Sequence, residues 1–226
     1  PSDTAFKVLL PNSGIGTMTR FPLGTYVQID NEIMRISAST LGGSSGDEIT
    51  VIRGVLGTLI PNADSNGYSH LENAIIKAKH GAKESKIYTI ADDSGIVVPK
   101  LGYEPGIYSA RYAGEGASDK DNRDKIIDKL IDKKQECLDA FYVCVLVGLK
   151  SPNDPMPIVT QGKIYGKISI NSSGKGGFGY DKIFYPDGYD CSMASLDQQI
   201  KNKVSHRAIA SEKFIKLFNS SYDTFL

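Results

Sequence analysis

Three groups of residues in this 226-residue chain have types and spacings that could do chemistry. The first is acidic. Glu72 opens a helix-like pattern, and Asp92-Asp93 end a strand-like run. Carboxylates at helix starts and strand ends can converge at one edge of a sheet, where open α/β sheets bind ligands. Two or three together can hold Mg2+ beside a polyphosphate, and a further carboxylate can take a proton from an attacking water. Read alone, however, Glu72 is a solvated helix-start acid and Asp92 a turn cap.

The second group is Gly174-Lys175-Gly176-Gly177-Phe178-Gly179-Tyr180-Asp181. Glycines let backbone N–H groups approach a phosphate or a base closely. Phe178 or Tyr180 could stack on a purine. The run is not a Walker loop, because its spacing differs and no Ser or Thr follows the lysine. By itself it reads as a glycine-rich turn between strands. The third group is Lys201 with Ser205-His206-Arg207, just before or at the start of the last helix. Cations at a helix N-terminus suit an anion or a polar ring. A lone basic triplet is otherwise ordinary surface.

These pieces stand in one order: Leu71-Glu72-Asn73-Ala74, Ala91-Asp92-Asp93-Ser94-Gly95, Pro105-Gly106-Ile107-Tyr108-Ser109-Ala110-Arg111-Tyr112-Ala113-Gly114, Gly177-Phe178-Gly179-Tyr180-Asp181, then Lys201-Asn202 and Ser205-His206-Arg207. In that order the chain resembles the inosine/xanthosine triphosphate pyrophosphatases, across residues 69–218. Five linked motifs are far more specific than any one. The resemblance implies Mg2+-dependent hydrolysis of ITP, dITP or XTP to the monophosphate and pyrophosphate by a cytoplasmic homodimer. It implies that Glu72 and Asp93 ligate the metal and that Asp93 accepts the proton from water. Ser94 would touch the substrate, and Phe178, Gly179, Tyr180 and Asp181 would line the base pocket. Lys201, His206 and Arg207 would recognise the purine oxygen and nearby groups. A 6-oxo purine offers acceptors to such donors, whereas adenine presents a 6-amino donor.

The resemblance has gaps. The family's opening strand and its Thr/Ser-Gly-Asn-x-x-Lys phosphate loop are not found. Phe6 to Gly14 has a strand-then-Asn/Gly outline, but the next cation is Arg20. Lys182 stands where the family usually has proline, and Ser195 where an acid is usual. A lost phosphate contact that strengthens in the transition state slows a reaction by roughly 10²–10³-fold. A lost first strand leaves a gap in the sheet unless another strand fills it.

The elements that must position these residues follow from hydrophobic period. Leu71, Ala74, Ile75, Ala78 and Ala82 fall on one helical stripe. Residues 87–91 read as a buried strand. Asp119 to Cys137 reads as a charged helix with Ile126, Ile127, Leu130 and Ile131 on its inner side, and Phe141 to Leu149 as a strand. Ile158 to Ile170 holds two short strands or one bent one. Val204 to Phe218 is an amphipathic helix carrying Ala208, Phe214, Leu217 and Phe218. Helices mixed with strands in this way predict an α/β domain, a mixed sheet with flanking helices, over residues 67–226.

Residues 1–66 read differently. Tyr26 to Asp30, Glu32 to Ile36 and Glu48 to Arg53 are strand-like, separated by Asn31 and a Gly/Ser run, and predict a small antiparallel β module. Pro61 to Gly67 reads as a linker. The pattern Tyr26-x-x-Ile29-Asp30-x-Glu32-Ile33 followed by Val51-Ile52-Arg53-Gly54-x-x-Gly57-Thr58 resembles a β module of tailed-phage tail and baseplate proteins.

Lys plus Arg equal Asp plus Glu at 26 each, so no global field favours nucleic acid or an anionic membrane, and no direct nucleic-acid binding is expected. No apolar run approaches the roughly 20 residues of a membrane span, and Pro1 to Lys7 has no signal-like pattern. Cys137, Cys144 and Cys191 form no Cys-x-x-Cys pair and fit a reducing compartment. The foreign front end and the missing phosphate loop together favour a virion tail or baseplate component, partnered by other virion proteins, whose pyrophosphatase-like domain has weak or lost activity. The alternative is an active Mg2+-dependent purine nucleoside triphosphate pyrophosphatase in the host cytoplasm.

Overall fold

The computed structural model describes residues 6–10, 26–29, 32–43, 46–53, 66–86 and 88–222, with backbone alone before residue 54 and at 221–222. The fold is mixed α/β, as expected. Its strands are β1 (Phe6–Leu10), β2 (Tyr26–Ile29), β3 (Glu32–Gly43), β4 (Gly46–Arg53), β5 (Thr89–Val97), β6 (Cys137–Leu149), β7 (Ile158–Ser169) and β8 (Phe184–Pro186). Among the described residues they form one eight-stranded sheet in the order β1-β4-β3-β2-β5-β6-β7-β8. The helices are α1 (His70–Ser85), α2 (Asp119–Asp132), α3 (Gln198–Val204) and α4 (His206–Tyr222). The described residues divide into two compact units. The first comprises those up to Asp93, Val145–Gln161 and those from Ala210, and the second Ser94–Cys144 and Gly162–Ile209.

In the first unit β2, β3 and β4 pair antiparallel in succession, and β1 pairs antiparallel with β4. This is the meander expected of the front end, and the linker from residue 61 to 65 lies outside the described residues. β2 also pairs in parallel with β5, Tyr26 opposite Thr89 and Gln28 opposite Ala91. The chain's own strand thus occupies that edge of β5. The phosphate-loop outline after Leu10 lies outside the described residues.

α1 starts where Ser69 accepts a hydrogen bond from the Glu72 N–H, and it ends where Lys86 turns left-handed at φ 58. That satisfies one orphan donor at the start and stops the helix at the end. Ala74, Ala78 and Ala82 are buried, but Leu71 is 41% exposed and Asn73 is buried in its place. The inward stripe is therefore rotated from the purely apolar one. Asn73 tolerates burial because its Oδ1 accepts from the Gly67 N–H at 2.9 Å. In the same unit Phe214 and Phe218 of α4 are buried, while Leu217 is half exposed. Phe218 meets Tyr88 edge-on at 5.2 Å. Gly148 permits this packing, since a Cβ there would collide with the Tyr88 hydroxyl and the Phe214 ring.

The second unit centres on Ile96, Leu130, Tyr142, Ile168, Ile183 and Phe184, all buried. α2 begins with a capping box between Ser118 and Asp121. It stops at Asp132, short of Cys137, because Lys134 adopts φ 54 and the N–H groups of Lys134 and Gln135 return to the carbonyls of Ile131 and Leu130. Ile126 and Leu130 face inward, whereas Ile131 is 57% exposed. β7 is one continuous strand. β5 also departs from expectation, because it continues through Asp92 and Asp93 to Val97. The acids sit within the strand, not at its end.

Candidate functional site

In the first unit Asp93 is the centre of a small polar group. Its side chain is nearly buried, and each carboxylate oxygen has its own partner. His70 Nδ1 lies 2.6 Å from Oδ2, and Lys77 Nζ donates to Oδ1 at 2.8 Å. Lys77 also donates to the Asp92 carbonyl at 3.2 Å. His70 and Lys77 are two turns apart on α1, a spacing that places them on one helix face. The His70 Nε2 is buried and has no hydrogen-bond partner among the described residues. Asp92 is 2% exposed, too buried to act as an open ligand.

Glu72 behaves differently. Its Oε2 accepts from the Tyr68 N–H at 2.7 Å and from the Ser69 hydroxyl at 3.2 Å, so the carboxylate closes the start of its own helix. Among the described residues Glu72 and Asp93 share no hydrogen-bond partner. Among the described residues no group of three or more His, Cys, Asp or Glu is gathered for a metal ion. Each carboxylate is nevertheless a hard oxygen donor of the kind Mg2+ takes, one or two at a time, with water and substrate phosphate completing its shell.

The second unit holds the aromatic and cationic group. Phe178 is 53% exposed, with Lys201 Nζ 5.3 Å and Arg207 Cζ 5.8 Å from its ring centroid. Tyr180 is 3% exposed, and its hydroxyl donates to the Ser109 carbonyl at 2.8 Å. Of the two candidate stacking residues, only Phe178 therefore presents a face. Asp181 is buried beneath the turn. It accepts from the Phe178 N–H at 3.1 Å and is ion-paired with Lys201. The Tyr142 hydroxyl donates to its other oxygen at 3.2 Å. The Tyr142 ring stacks on His206, centroids 4.8 Å apart and planes 7° from parallel. Burial first, and then the Asp181 charge, push the Tyr142 phenol well above its ordinary range. His206, the first residue of α4, is 5% exposed, so it is a packed ring more than an open base.

The same turn is held from α2. Asp119 accepts from the Gly179 N–H at 2.7 Å, and Arg123 donates to the Gly179 carbonyl at 2.6 Å. Ser94 is half-buried within β5, in the second unit. Sequence reasoning missed His70, Lys77, Tyr142, Asp119 and Arg123. The spacing of His70 and Lys77 about Glu72 on one amphipathic helix was a usable signal. Tyr142 carried none beyond its place in an apolar strand.

A sequence model of the Ham1 family matches residues 35–217. The chain belongs to the Ham1 family. A dITP/XTP pyrophosphatase of Legionella pneumophila (strain Paris) is 46% identical over 149 residues, covering 66% of this chain and 77% of that protein. One from Vibrio cholerae is 46% identical over 157 residues, covering 70% and 78%. Among solved structures, a HAM1 protein from Coxiella burnetii aligns with TM-score 0.68 at 37% identity, covering 71% of this chain and 82% of that one. The Staphylococcus aureus Ham1 protein aligns with TM-score 0.65, also at 37% identity.

Ham1 membership corrects one expectation outright. Reading the chain as a virion tail or baseplate component with a weak or inactive domain is overturned by relatives of this identity and coverage, which are named dITP/XTP pyrophosphatases. The Ham1 match also begins at residue 35, inside the stretch set apart as a tail-like module. Five linked motifs outweigh an unfamiliar front end and an unfound phosphate loop. Among the described residues no helix is long and apolar enough to cross a membrane.

Proposed function

We propose that this chain hydrolyses non-standard purine nucleoside triphosphates, dITP, ITP and XTP, to the monophosphate and pyrophosphate. The observation that carries this reading is the exposed Phe178 ring flanked by Lys201 and Arg207. A flat apolar face suits a purine, and adjacent cations suit its oxygens. The names of the Legionella and Vibrio relatives support the same substrate class.

In this reading one water is consumed, and the anhydride bond between the α- and β-phosphorus breaks. Asp93 accepts the proton lost by the water. Bound at Glu72 and Asp93, Mg2+ would neutralise phosphate charge. His70 and Lys77 hold Asp93 in one orientation, with Lys77 offsetting its charge. Ser94 contacts the substrate. Phe178 stacks on the base, and Gly179, Tyr180 and Asp181 shape the pocket around it. Lys201, His206 and Arg207 supply donors that favour a 6-oxo group over the 6-amino group of adenine. Asp181 in turn holds Lys201, so the ammonium stays beside the Phe178 ring.

We also take residues 1–66 as a β module and 67–226 as the pyrophosphatase-like domain. The working form is taken to be a cytoplasmic homodimer, which light scattering on the purified chain checks. The main test is pyrophosphate release with Mg2+. Turnover of dITP or XTP should exceed that of dATP by at least roughly 10²-fold. Equal turnover of dATP, or none of any substrate, would end the reading.

A further inference from the structure

Gly179 is held on both sides by one helix, through the two peptide groups that meet at it. Its N–H donates to Asp119 Oδ2 at 2.7 Å, and its carbonyl accepts from Arg123 Nη1 at 2.6 Å. Asp119 and Arg123 are four residues apart, so they share one face of the first turns of α2. That end of the helix is itself fixed by the Ser118–Asp121 capping box. Asp119 also sits where an acid suits the helix dipole.

The turn needs an external hold. Gly174, Gly177 and Gly179 all have positive φ, at 88, 78 and 55. Three such residues confer little stiffness of their own. From below, Asp181 accepts from the Phe178 N–H. From α2, Asp119 fixes the next peptide, Phe178–Gly179, and Arg123 the one after it. Phe178 lies between these two anchors, and its half-exposed ring has the Lys201 and Arg207 cations beside it.

We propose that Asp119 and Arg123 are positioning residues for base recognition, setting the pose of the Phe178 ring through the Gly179 N–H and the Gly179 carbonyl, which belong to the two successive peptides that meet at that residue. This role requires neither side chain to touch the base. The functional half of this inference rests on the purine reading above, while the clamp itself does not. Each contact is directional, because the acid reads only an N–H and the guanidinium only a carbonyl. A flip of the Phe178–Gly179 peptide would turn the Phe178 carbonyl toward Asp119, and a flip of the Gly179–Tyr180 peptide would turn the Tyr180 N–H toward Arg123. Each contact therefore selects one orientation of its own peptide as well as stiffening it.

The test uses the full chain with three variants, Asp119→Ala, Asp119→Asn and Arg123→Ala. Hydrogen exchange at residues 177–181 reports the clamp, and steady-state kinetics with dITP and Mg2+ report the positioning. Asp119→Ala should speed exchange of the Gly179 amide at least tenfold. It should also raise KM for dITP about fivefold, with kcat within twofold. Asp119→Asn keeps an acceptor oxygen and should restore both. Arg123→Ala should raise KM in the same way. Unchanged exchange in Asp119→Ala overturns the clamp. Faster exchange with unchanged KM overturns the positioning role and leaves only a local structural contact. If the wild-type chain turns over none of the nucleotides, the proposed function falls, and Gly179 exchange still decides the clamp.

Discussion

His70 Nδ1 lies 2.6 Å from Asp93 Oδ2, while the other ring nitrogen is buried and meets no hydrogen-bond partner among the described residues. The ring is thus committed to Asp93. His70→Phe keeps the ring volume and removes the donor. Because a hydrogen bond to a charged group contributes about 1.5–3 kcal/mol, urea unfolding should register a loss near the lower figure. His70→Asn should recover part of it. A Phe variant as stable as the wild type would show that Lys77 alone holds the carboxylate.

Asp93→Asn keeps the shape and removes the base. If Asp93 accepts the proton from water, kcat for dITP should fall by roughly 10²–10⁴-fold. Circular dichroism should show the fold retained, because the amide can still pair with Lys77. Retained turnover would move the proton to another group.

Lys201 and Asp181 form a nearly buried ion pair, with side chains 13% and 4% exposed. Lys201→Met should cost about 3 kcal/mol, since a buried charge left alone is expensive. The Asp181→Asn, Lys201→Met double variant should be less destabilised than the sum of the singles. Simple additivity in that cycle would mean that the pair does not couple.

Gly177 has φ 78, and a Cβ there would meet the Asp181 carboxylate. Gly177→Ala must therefore displace Asp181, and with it the Lys201 ammonium. The expected result is a raised KM for dITP with little change in kcat, measured by pyrophosphate release. An unaltered KM would detach the turn from substrate binding.

The Tyr142 phenol is held well above its ordinary range by burial and by the Asp181 charge. A raised pKa means that the folded state keeps a proton that the unfolded state loses. Its effect on stability is nil below about pH 10 and grows unfavourable as pH rises past that value. Tyr142→Phe should therefore flatten the fall of Tm between pH 9 and 11. Tyr112 and Tyr180 are raised as well, so some decline should remain. An identical slope in the variant would assign the alkaline loss entirely elsewhere.

Much of this was legible in residue order. The Ala74, Ala78 and Ala82 stripe gave α1, and Phe214 with Phe218 gave the buried side of α4, because these are period effects within one element. The end of α2 was not legible, since nothing in Lys133-Lys134-Gln135 marks a left-handed lysine. Asp92 and Asp93 were misplaced at a strand end because acids disfavour strand interiors. Here Lys77, from another element, supplies the compensation. Motif order identified Phe178, Lys201 and Arg207, but only burial separated exposed Phe178 from interior Tyr180. Asp119 and Arg123 act on the main-chain N–H and carbonyl of a residue 60 and 56 positions away, a relation that residue types do not encode.

The parallel pairing of Tyr26–Gln28 with Thr89–Ala91 has a genetic consequence. Main-chain ladder bonds recognise an extended segment, not its side-chain identities. Recombination could thus exchange the leading segment of such a gene for an unrelated one, provided that the newcomer supplied a strand of the right direction and length. The edge of β5 would serve as a splice point between lineages, and the aspartates downstream would need no matching mutation.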